Sequence, residues 1–594
     1  FLLVFTVGVC SVAGDPAWNA TAIATILMVS IYGLGPVSGG HFNPSVSLAC
    51  GLAGKTPWRR VAAYIVVQIV AGLLAGWAYW GTFGQAAFLG PRSGYGWFHV
   101  GVAELIYTAM LAFVHLNCAT SIRNNPEDDQ NHFFGLAIGF VLVAGGYAAG
   151  DISGASLNPA VTLGLDVTGA GGTGAGGYHW RLAYLGYQIL GAGLAALLFH
   201  LCRYGEFHQL PSQHAGGRVL QVNILQASNL VNRDSGILGD VSDAYVTARV
   251  GLTEFRTPTI NNNLNPVWTT GNSFTFSLGA DGMESNAPSL LSLEVMNGNS
   301  LFKDQSLGTL TVDVNGIAPG DWQRRRERLL GGRQAELELA LRVVGLESHK
   351  HPSLFCKVCS EFLGTFVLAL TVGLNVVMKS PATAWSAAAA LMCMIYSLGS
   401  VSGGHFNPAV TVAAVLSGRG KCPAPHGLAY VVVQLAAGVL AGLLFSDFHW
   451  AGPYRQDSIG LTPGSSPQWP GEVFSWWSVC FAELVFTFMI AFVVLAVATT
   501  NPPKALTAQN FQFALAIGSC VTAGGLAVGA VSGGELNPAV AFGVATAEHV
   551  SGGPAPWTNC LSYSVFELLG GAVAAGVFRG THRTEYTKSA DEDL

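Results

Sequence analysis

Four times the chain sets an asparagine before a proline and a small residue: Asn43-Pro44-Ser45, Asn158-Pro159-Ala160, Asn407-Pro408-Ala409 and Asn537-Pro538-Ala539. Each is followed by valine and an apolar stretch of about ten residues, half of the roughly 20 that a membrane-crossing helix needs. Asparagine is a strong helix N-cap and proline suits the first helical position. Each segment therefore reads as a loop that dips into the membrane and starts a half-helix. Irregular backbone at that depth is tolerated only when buried in protein or lining a watery cavity. Two inverted half-helices would aim their N-termini, each worth about +0.5 charge, at one midplane spot. The paired amides could donate to a passing neutral oxygen or nitrogen, while a cation would meet the wrong end of two dipoles. One Asn-Pro alone is usually a turn; four in inverted register, with Gly-rich approaches, are not explained as turns.

Three carboxylates, Glu104, Glu361 and Glu483, sit inside apolar runs. A carboxylate there is costly and should have partners. His41 and His405 precede two of the asparagines by two residues; packing of the loop at the inner mouth explains them better than a gate. Cys356 and Cys359 flank Lys357-Val358 at the start of a span, and no further pair of zinc ligands stands nearby. They read as buried thiols. No catalytic constellation appears, so no enzyme activity and no cofactor are expected.

The elements that must hold these residues follow from composition. Of 594 residues, 51% are hydrophobic, 10% are charged and 75 are glycine. A soluble chain carries about 25% charged residues and roughly 7% glycine, so this is a polytopic membrane protein. A net charge of −6 without a long basic run argues against nucleic acid as a partner. Apolar runs of spanning length fall near 18–38, 60–80, 98–122, 132–150 and 178–202, after a shortened one at 1–14. A second set falls near 354–378, 383–402, 426–446, 474–499, 510–530 and 558–579. The chain opens at Phe1 inside the shortened run and is read as truncated there.

The two sets are copies. Ser38-Gly-Gly-His-Phe-Asn-Pro44 recurs at 402–408, Ala103-Glu104-Leu105 at 482–484, and Ser153-Gly-Ala-Ser-Leu-Asn-Pro159 as the related string at 532–538. Each copy is itself doubled, and a repeat with an odd number of spans per half must be inverted in the membrane. Placing both termini and the middle segment in the cytosol puts thirteen Lys and Arg inside, Lys55, Arg59, Arg60 and Arg123 among them. Only Arg92, Arg181, Lys379 and Arg455 lie outside, as the positive-inside rule requires. Which membrane is spanned is not encoded.

Residues 217–345 differ. They hold 11 Lys and Arg and 13 Asp and Glu, and they switch to short alternating segments at 219–225, 244–250, 273–278, 291–295 and 337–341. Period-two segments at short intervals indicate a β-sandwich. Arg324, Arg325, Arg326 and Arg328 form its one dense basic run, read equally well as a solvated loop or a lipid contact.

On the Ser-Gly-Gly-His-Phe-Asn-Pro strings and the repeated intramembrane Glu, each half resembles the major intrinsic protein (aquaporin) family over nearly its whole length, with the tonoplast-type and ammonia-permeable branches most alike. The resemblance implies right-handed six-span bundles with paired re-entrant half-helices, in which Glu104, Glu361 and Glu483 brace the loops. It also assigns selectivity-filter positions: Ile23, Gly146, Ala155 and Val161 in the first half, and Ala387, Gly525, Gly534 and Val540 in the second. Water-selective members carry Arg where Val161 and Val540 stand. Pore width, lining donors and charge set selectivity, with aquaporin pores the usual illustration. Wide pores passing water and small neutral solutes such as glycerol, urea, ammonia or hydrogen peroxide are therefore expected.

The middle segment, by Ser242-Asp243-Ala244-Tyr245-Val246, Asn265-Pro266-Val267-Trp268 and Leu307-Gly308, resembles a C2 domain. C2 domains that bind calcium gather about five loop carboxylates. Here Asp234 and Asp243 fill the first-loop places, Asn297 and Asn299 replace two acids, and Asp304 stands one place early. Calcium affinity follows the count of charged oxygens, so weak binding or none is expected. The domains read as 1–210 and 350–580 for the channel halves, 211–349 for the C2-like segment and 581–594 for a polar tail. Family tetramers imply that two such chains make a four-pore pseudo-tetramer, packed through outer-face glycines such as Gly72, Gly76, Gly191, Gly438, Gly442 and Gly570. The rival reading is a membrane-tethered lipid-binding or junction protein with closed relic pores.

Overall fold

The computed structural model describes residues 1–87, 89–125, 131–169, 179–206, 218–234, 241–251, 253–278, 290–298, 304–314, 317, 322–345, 352–468, 471–500 and 512–587. The chain divides into two compact bodies, residues 1–209 with 351–594, and residues 210–350.

The first body holds both helical halves. The first bundle comprises α1 (Leu2–Ala13), α2 (Asn19–Ser38), α3 (Pro44–Leu52), α4 (Trp58–Phe83), α5 (Trp97–His115), α6 (Phe134–Ser153), α7 (Pro159–Gly169) and α8 (His179–Cys202). The second repeats it as α9 (Leu354–Val377), α10 (Thr383–Ser402), α11 (Pro408–Leu416), α12 (Ala424–Ala451), α13 (Trp476–Ala498), α14 (Gln512–Ser532), α15 (Pro538–Val550) and α16 (Asn559–Thr581). Among the described residues, eleven helices are long and apolar enough to cross a membrane, and α1 is a shorter apolar helix. The half-helices α3, α7, α11 and α15 run for 9, 11, 9 and 13 residues.

In each bundle one end is basic. In the first, Lys55 pairs with Glu206 at 3.2 Å and Arg203 with the same carboxylate at 3.6 Å. In the second, Arg419 pairs with Glu585 at 2.5 Å. Glu585 lies on a helical turn, α17 (Thr584–Thr587), whose Tyr586 donates to the Ser417 carbonyl. The start of the expected polar tail is thus docked on the bundle.

Glycines let the half-helices lie close to the spans. A Cβ on Gly72 or Gly76 would strike the Ala160 or Gly164 carbonyl of α7, and one on Gly438 or Gly442 the Ala539 or Gly543 carbonyl of α15. Gly191 and Gly570 meet the Leu105 and Leu484 carbonyls in the same way. These glycines pack inside each bundle, which corrects the expectation that they form its outer contact faces.

The bundles meet through α5 and α6 of the first and α9 and α10 of the second. Ser386 Oγ donates to the Ala144 carbonyl at 2.9 Å, Tyr107 and Thr371 hydroxyls meet at 3.0 Å, and Arg203 donates to the Ser397 carbonyl at 2.7 Å. Phe133 stacks on Tyr396.

The second body is a sandwich of two four-stranded antiparallel sheets. Its strands are β1 (Arg218–Ser228), β2 (Ala244–Val250), β3 (Thr253–Arg256), β4 (Ser273–Leu278), β5 (Leu290–Asn297), β6 (Gln305–Asp313), β7 (Gln323–Arg328) and β8 (Glu336–Gly345). The orders are β4-β1-β8-β7 and β3-β2-β5-β6. Its own core includes Leu220, Val222, Val246, Trp268, Leu293 and Leu339. The arginine run is not a loop but the edge strand β7. Alternation puts Arg324 and Arg326 on one face, where both engage Glu338 of β8. Charged side chains on an edge strand discourage pairing with another chain.

Candidate functional site

Each Asn-Pro segment forms the cap its residues call for. The side chains of Asn43, Asn158, Asn407 and Asn537 accept from the backbone N–H two residues on, at 2.8–3.0 Å. The residue before each asparagine, Phe42, Leu157, Phe406 or Leu536, has φ of +46 to +54°. That left-handed conformation is uncommon for a bulky residue and stores strain. Its effect is to turn each carbonyl toward the opposite loop. Asn43 Nδ2 donates to the Leu157 carbonyl at 2.9 Å and Asn158 Nδ2 to that of Phe42 at 3.0 Å. Asn407 and Asn537 repeat the exchange with Leu536 and Phe406, each at 2.9 Å. The two half-helices of each bundle are locked tip to tip, and each amide has a second N–H beyond this bond.

Behind the tips sit the carboxylates. Glu104 accepts from Ser153 Oγ, the Ser156 and Leu157 N–H groups and Gln188 Nε2, at 2.8–2.9 Å. Glu361 accepts from Ser402 Oγ, the His405 and Phe406 N–H groups and Gln434 Nε2, at 2.6–3.0 Å. Glu483 takes Ser532 Oγ and the Glu535 and Leu536 N–H groups. All three are fully buried. Sequence reasoning missed Gln188 and Gln434 and their counterpart Glu567, which accepts from the Asn537 N–H at 2.8 Å. The repeat itself could have found them, since the spacing from Glu104 to Gln188 equals that from Glu483 to Glu567.

His41 and His405 hold their loops as well. His41 Nδ1 meets Ser47 Oγ at 3.0 Å and His405 Nδ1 meets Thr411 Oγ1 at 3.1 Å, and each ring stands edge-on to a tyrosine, Tyr64 or Tyr430.

In the second bundle a cavity of about 450 Å³ is lined by His405, Asn407, Asn537 and Glu535, and by Ala387, Gly525, Gly534 and Val540. The four residues assigned to one constriction thus share one lumen. A Cβ on Gly534 would lie 3.1 Å from the Gly525 Cα, so Gly534 packs against Gly525. In the first bundle, Gly146 faces Ala20, as Gly525 faces Ala384. Ala155 has φ of +45° with its N–H on Ser153 Oγ, Ile23 is half-buried, and Val161 packs with Val4, Tyr79 and Leu165.

One difference between the halves escaped the sequence. Arg92, in the segment between α4 and α5, bonds through its N–H to the Ile152 carbonyl at 3.1 Å and through its guanidinium to that of Gly150 at 3.3 Å. It lies beside Gly154, one residue from Ala155. In the second bundle Gly464 makes the matching backbone bond, to Val531 at 2.9 Å. The first bundle therefore carries a cation, at the end away from its basic face, in the place where the second has a glycine.

The major intrinsic protein family model matches residues 1–199, 96–233 and 348–578, and the C2 domain model matches 218–329. The chain belongs to the major intrinsic protein family. Among the family's curated members, Aquaporin NIP1-3 of Oryza sativa subsp. japonica is 35% identical over 186 residues, which is 30% of this chain and 60% of the relative. Probable aquaporin NIP4-2 of Arabidopsis thaliana is 37% identical over 185 residues, 30% of this chain and 61% of the relative. The chain thus spans about three fifths of the length of these major intrinsic proteins. They bear NIP-type names, not those of the tonoplast-type or ammonia-permeable branches expected from the motifs. Among solved structures, the first C2 domain of plant extended synaptotagmin 1 is 17% identical, covering 22% of this chain and 98% of that one with a TM-score of 0.19.

Among the described residues, the acids of the C2 loops are engaged by protein donors. Asn297 is fully buried; its Oδ1 accepts from the Asp243 N–H at 2.6 Å and its Nδ2 donates to Asp234 Oδ1 at 2.8 Å. Asp243 Oδ1 takes the Asn262 N–H at 2.7 Å, and Asp304 takes the Tyr245 hydroxyl at 2.5 Å. An amide donor thus points at the carboxylate a calcium ion would need. Asn299 lies outside the described residues.

Proposed function

We propose that the chain is a passive channel with two pores, one per bundle, for water and small neutral solutes. The observation that carries this is the reciprocal lock of Asn407 and Asn537 over a cavity that both line. Paired N–H donors at the tips of two half-helices favour a neutral acceptor and repel a cation. Val540, Ala387, Gly525 and Gly534 offer that lumen neither charge nor bulk, which favours solutes such as urea, glycerol, ammonia or hydrogen peroxide besides water. Arg92 makes the first pore the more restrictive of the two. Both termini and the sandwich face the cytosol in this reading, since the basic ends fall there. Osmotic shrinkage of liposomes carrying the protein tests the channel: faster water loss than from empty liposomes is expected, and equal rates would refute it.

The sandwich serves as a regulatory or sorting module that works without tight calcium. Titration calorimetry of the whole protein should show little heat at micromolar calcium. Asn297→Asp removes the donor and adds a charged oxygen, and should tighten binding on the order of tenfold. Micromolar binding by the unaltered protein would contradict this.

The chain should also pair with itself. Within one chain, α5 and α6 meet α9 and α10; the equivalent surfaces, α13 and α14 of the second bundle and α1 and α2 of the first, remain uncovered, with Leu526 68% and Trp18 63% exposed. A second chain related by a twofold axis would cover both and complete a ring of four pores. Mass in detergent, corrected for bound detergent, should be about 124 kDa, twice the 62.0 kDa of one chain. A stable single-chain or four-chain species would contradict the ring.

A further inference from the structure

Three ligand-bearing side chains converge at the basic end of the first bundle. His41 precedes α3, Cys50 lies within α3 and His115 ends α5; their ligand atoms all lie within 4.8 Å of one another and all three residues are buried. His41 keeps Nε2 beyond its contact with Ser47. His115 is 1% exposed and neither of its ring nitrogens has a hydrogen-bond partner. The two rings stand edge to face, with centroids 5.1 Å apart. A buried imidazole with two idle nitrogens is an anomaly, because buried polar groups are normally satisfied.

The second bundle lacks the arrangement. By the repeat, His41 corresponds to His405, Cys50 to Ala414 and His115 to Val494. His405 and Val494 line the second lumen, so by the repeat the first bundle has two imidazoles at the corresponding positions, with Cys50 beside them.

We propose that His41, Cys50 and His115 bind one zinc-class cation, which narrows the first pore at its basic end and leaves the second pore open. Two nitrogens and a thiolate make three of the four tetrahedral ligands zinc prefers, and the fourth position is left for water. Ligand atoms about 2.0–2.3 Å from such an ion stand about 3.3–3.8 Å apart. The ring nitrogens of His115 make no hydrogen bond that would have to break, so a turn of that ring within its packing is the movement the site would need to close from 4.8 Å to that spacing. Binding needs Cys50 as thiolate; its proton leaves to the water at the same mouth. The ion's effect on flux rests on the channel reading, whereas its binding does not.

The test uses the full chain, purified, loaded with Zn²⁺ and freed of loose metal by gel filtration. One tightly held ion per chain is expected, lost in His115→Val and in Cys50→Ala, both of which install the residue of the second bundle. Co²⁺ in place of Zn²⁺ should give a thiolate charge-transfer band that Cys50→Ala abolishes. In liposomes Zn²⁺ should remove part of the water flux of the unaltered protein and none of that of His115→Val. No retained ion, or retention unchanged in both variants, would overturn the site. Retention with full flux would overturn the narrowing. A protein that retains the ion yet never conducts fails the channel reading alone.

Discussion

Placing arginine at Val161 and Val540 together should lower urea and glycerol permeability on the order of tenfold while reducing water permeability far less. Val540 lines the second lumen beside Gly525 and Gly534, so a guanidinium there meets no competing bulk. It narrows the passage and adds a fixed positive charge and several donors, the features by which such pores exclude solutes larger than water. Val540→Arg alone should act on the second pore only. Val161→Arg alone should remove less, because in the proposed reading Arg92, bonded to the Gly150 carbonyl and beside Gly154, already restricts the first pore. Stopped-flow light scattering with each solute in turn reads the ratio; equal loss of water and solute would contradict the assignment of these positions to the constriction.

Glu361→Ala should be the most damaging single change in the second bundle. It strands Ser402 Oγ, the His405 and Phe406 N–H groups and Gln434 Nε2, all of which donate to the carboxylate. Bonds to a charged acceptor contribute about 1.5–3 kcal/mol each, and buried donors left unpaired add their desolvation cost. Correlated losses make the sum less than additive, so a destabilisation of roughly 3–5 kcal/mol is expected. It should appear as a lower unfolding midpoint in detergent and as loss of second-pore flux. Glu361→Gln keeps one acceptor oxygen and should fall between the two. An unchanged midpoint in Glu361→Ala would show that the loop stands without its brace.

Much of this frame is legible in the residues. The twelve apolar runs mark the helices to within a few residues, because hydropathy over about 20 residues is a strong constraint in lipid. The Asn-Pro pairs announce their half-helices through cap chemistry alone. Four other features are not legible, each for a physical reason. The left-handed turns at Phe42, Leu157, Phe406 and Leu536 fall on bulky residues that local preference would place elsewhere; the crossed asparagine bonds impose them. Arg92 is opposed to Ile152 only by tertiary pairing, and no periodicity reveals that. Glycines such as Gly72 and Gly438 look alike whether they face a neighbouring chain or a half-helix, and the structure turns them inward. In the sandwich, β7 is hidden because four arginines look like solvent-facing loop until Glu338 is seen opposite them.

The most direct test of the two-pore account is a stopped-flow series on liposomes carrying the unaltered protein, with water, urea, glycerol and ammonia measured in turn. Permeability to water and to at least one of the neutral solutes should exceed that of empty liposomes, and Val540→Arg should leave a remainder of the solute permeability that the added Val161→Arg lowers further. Permeability equal to that of empty liposomes for water and every solute would contradict it.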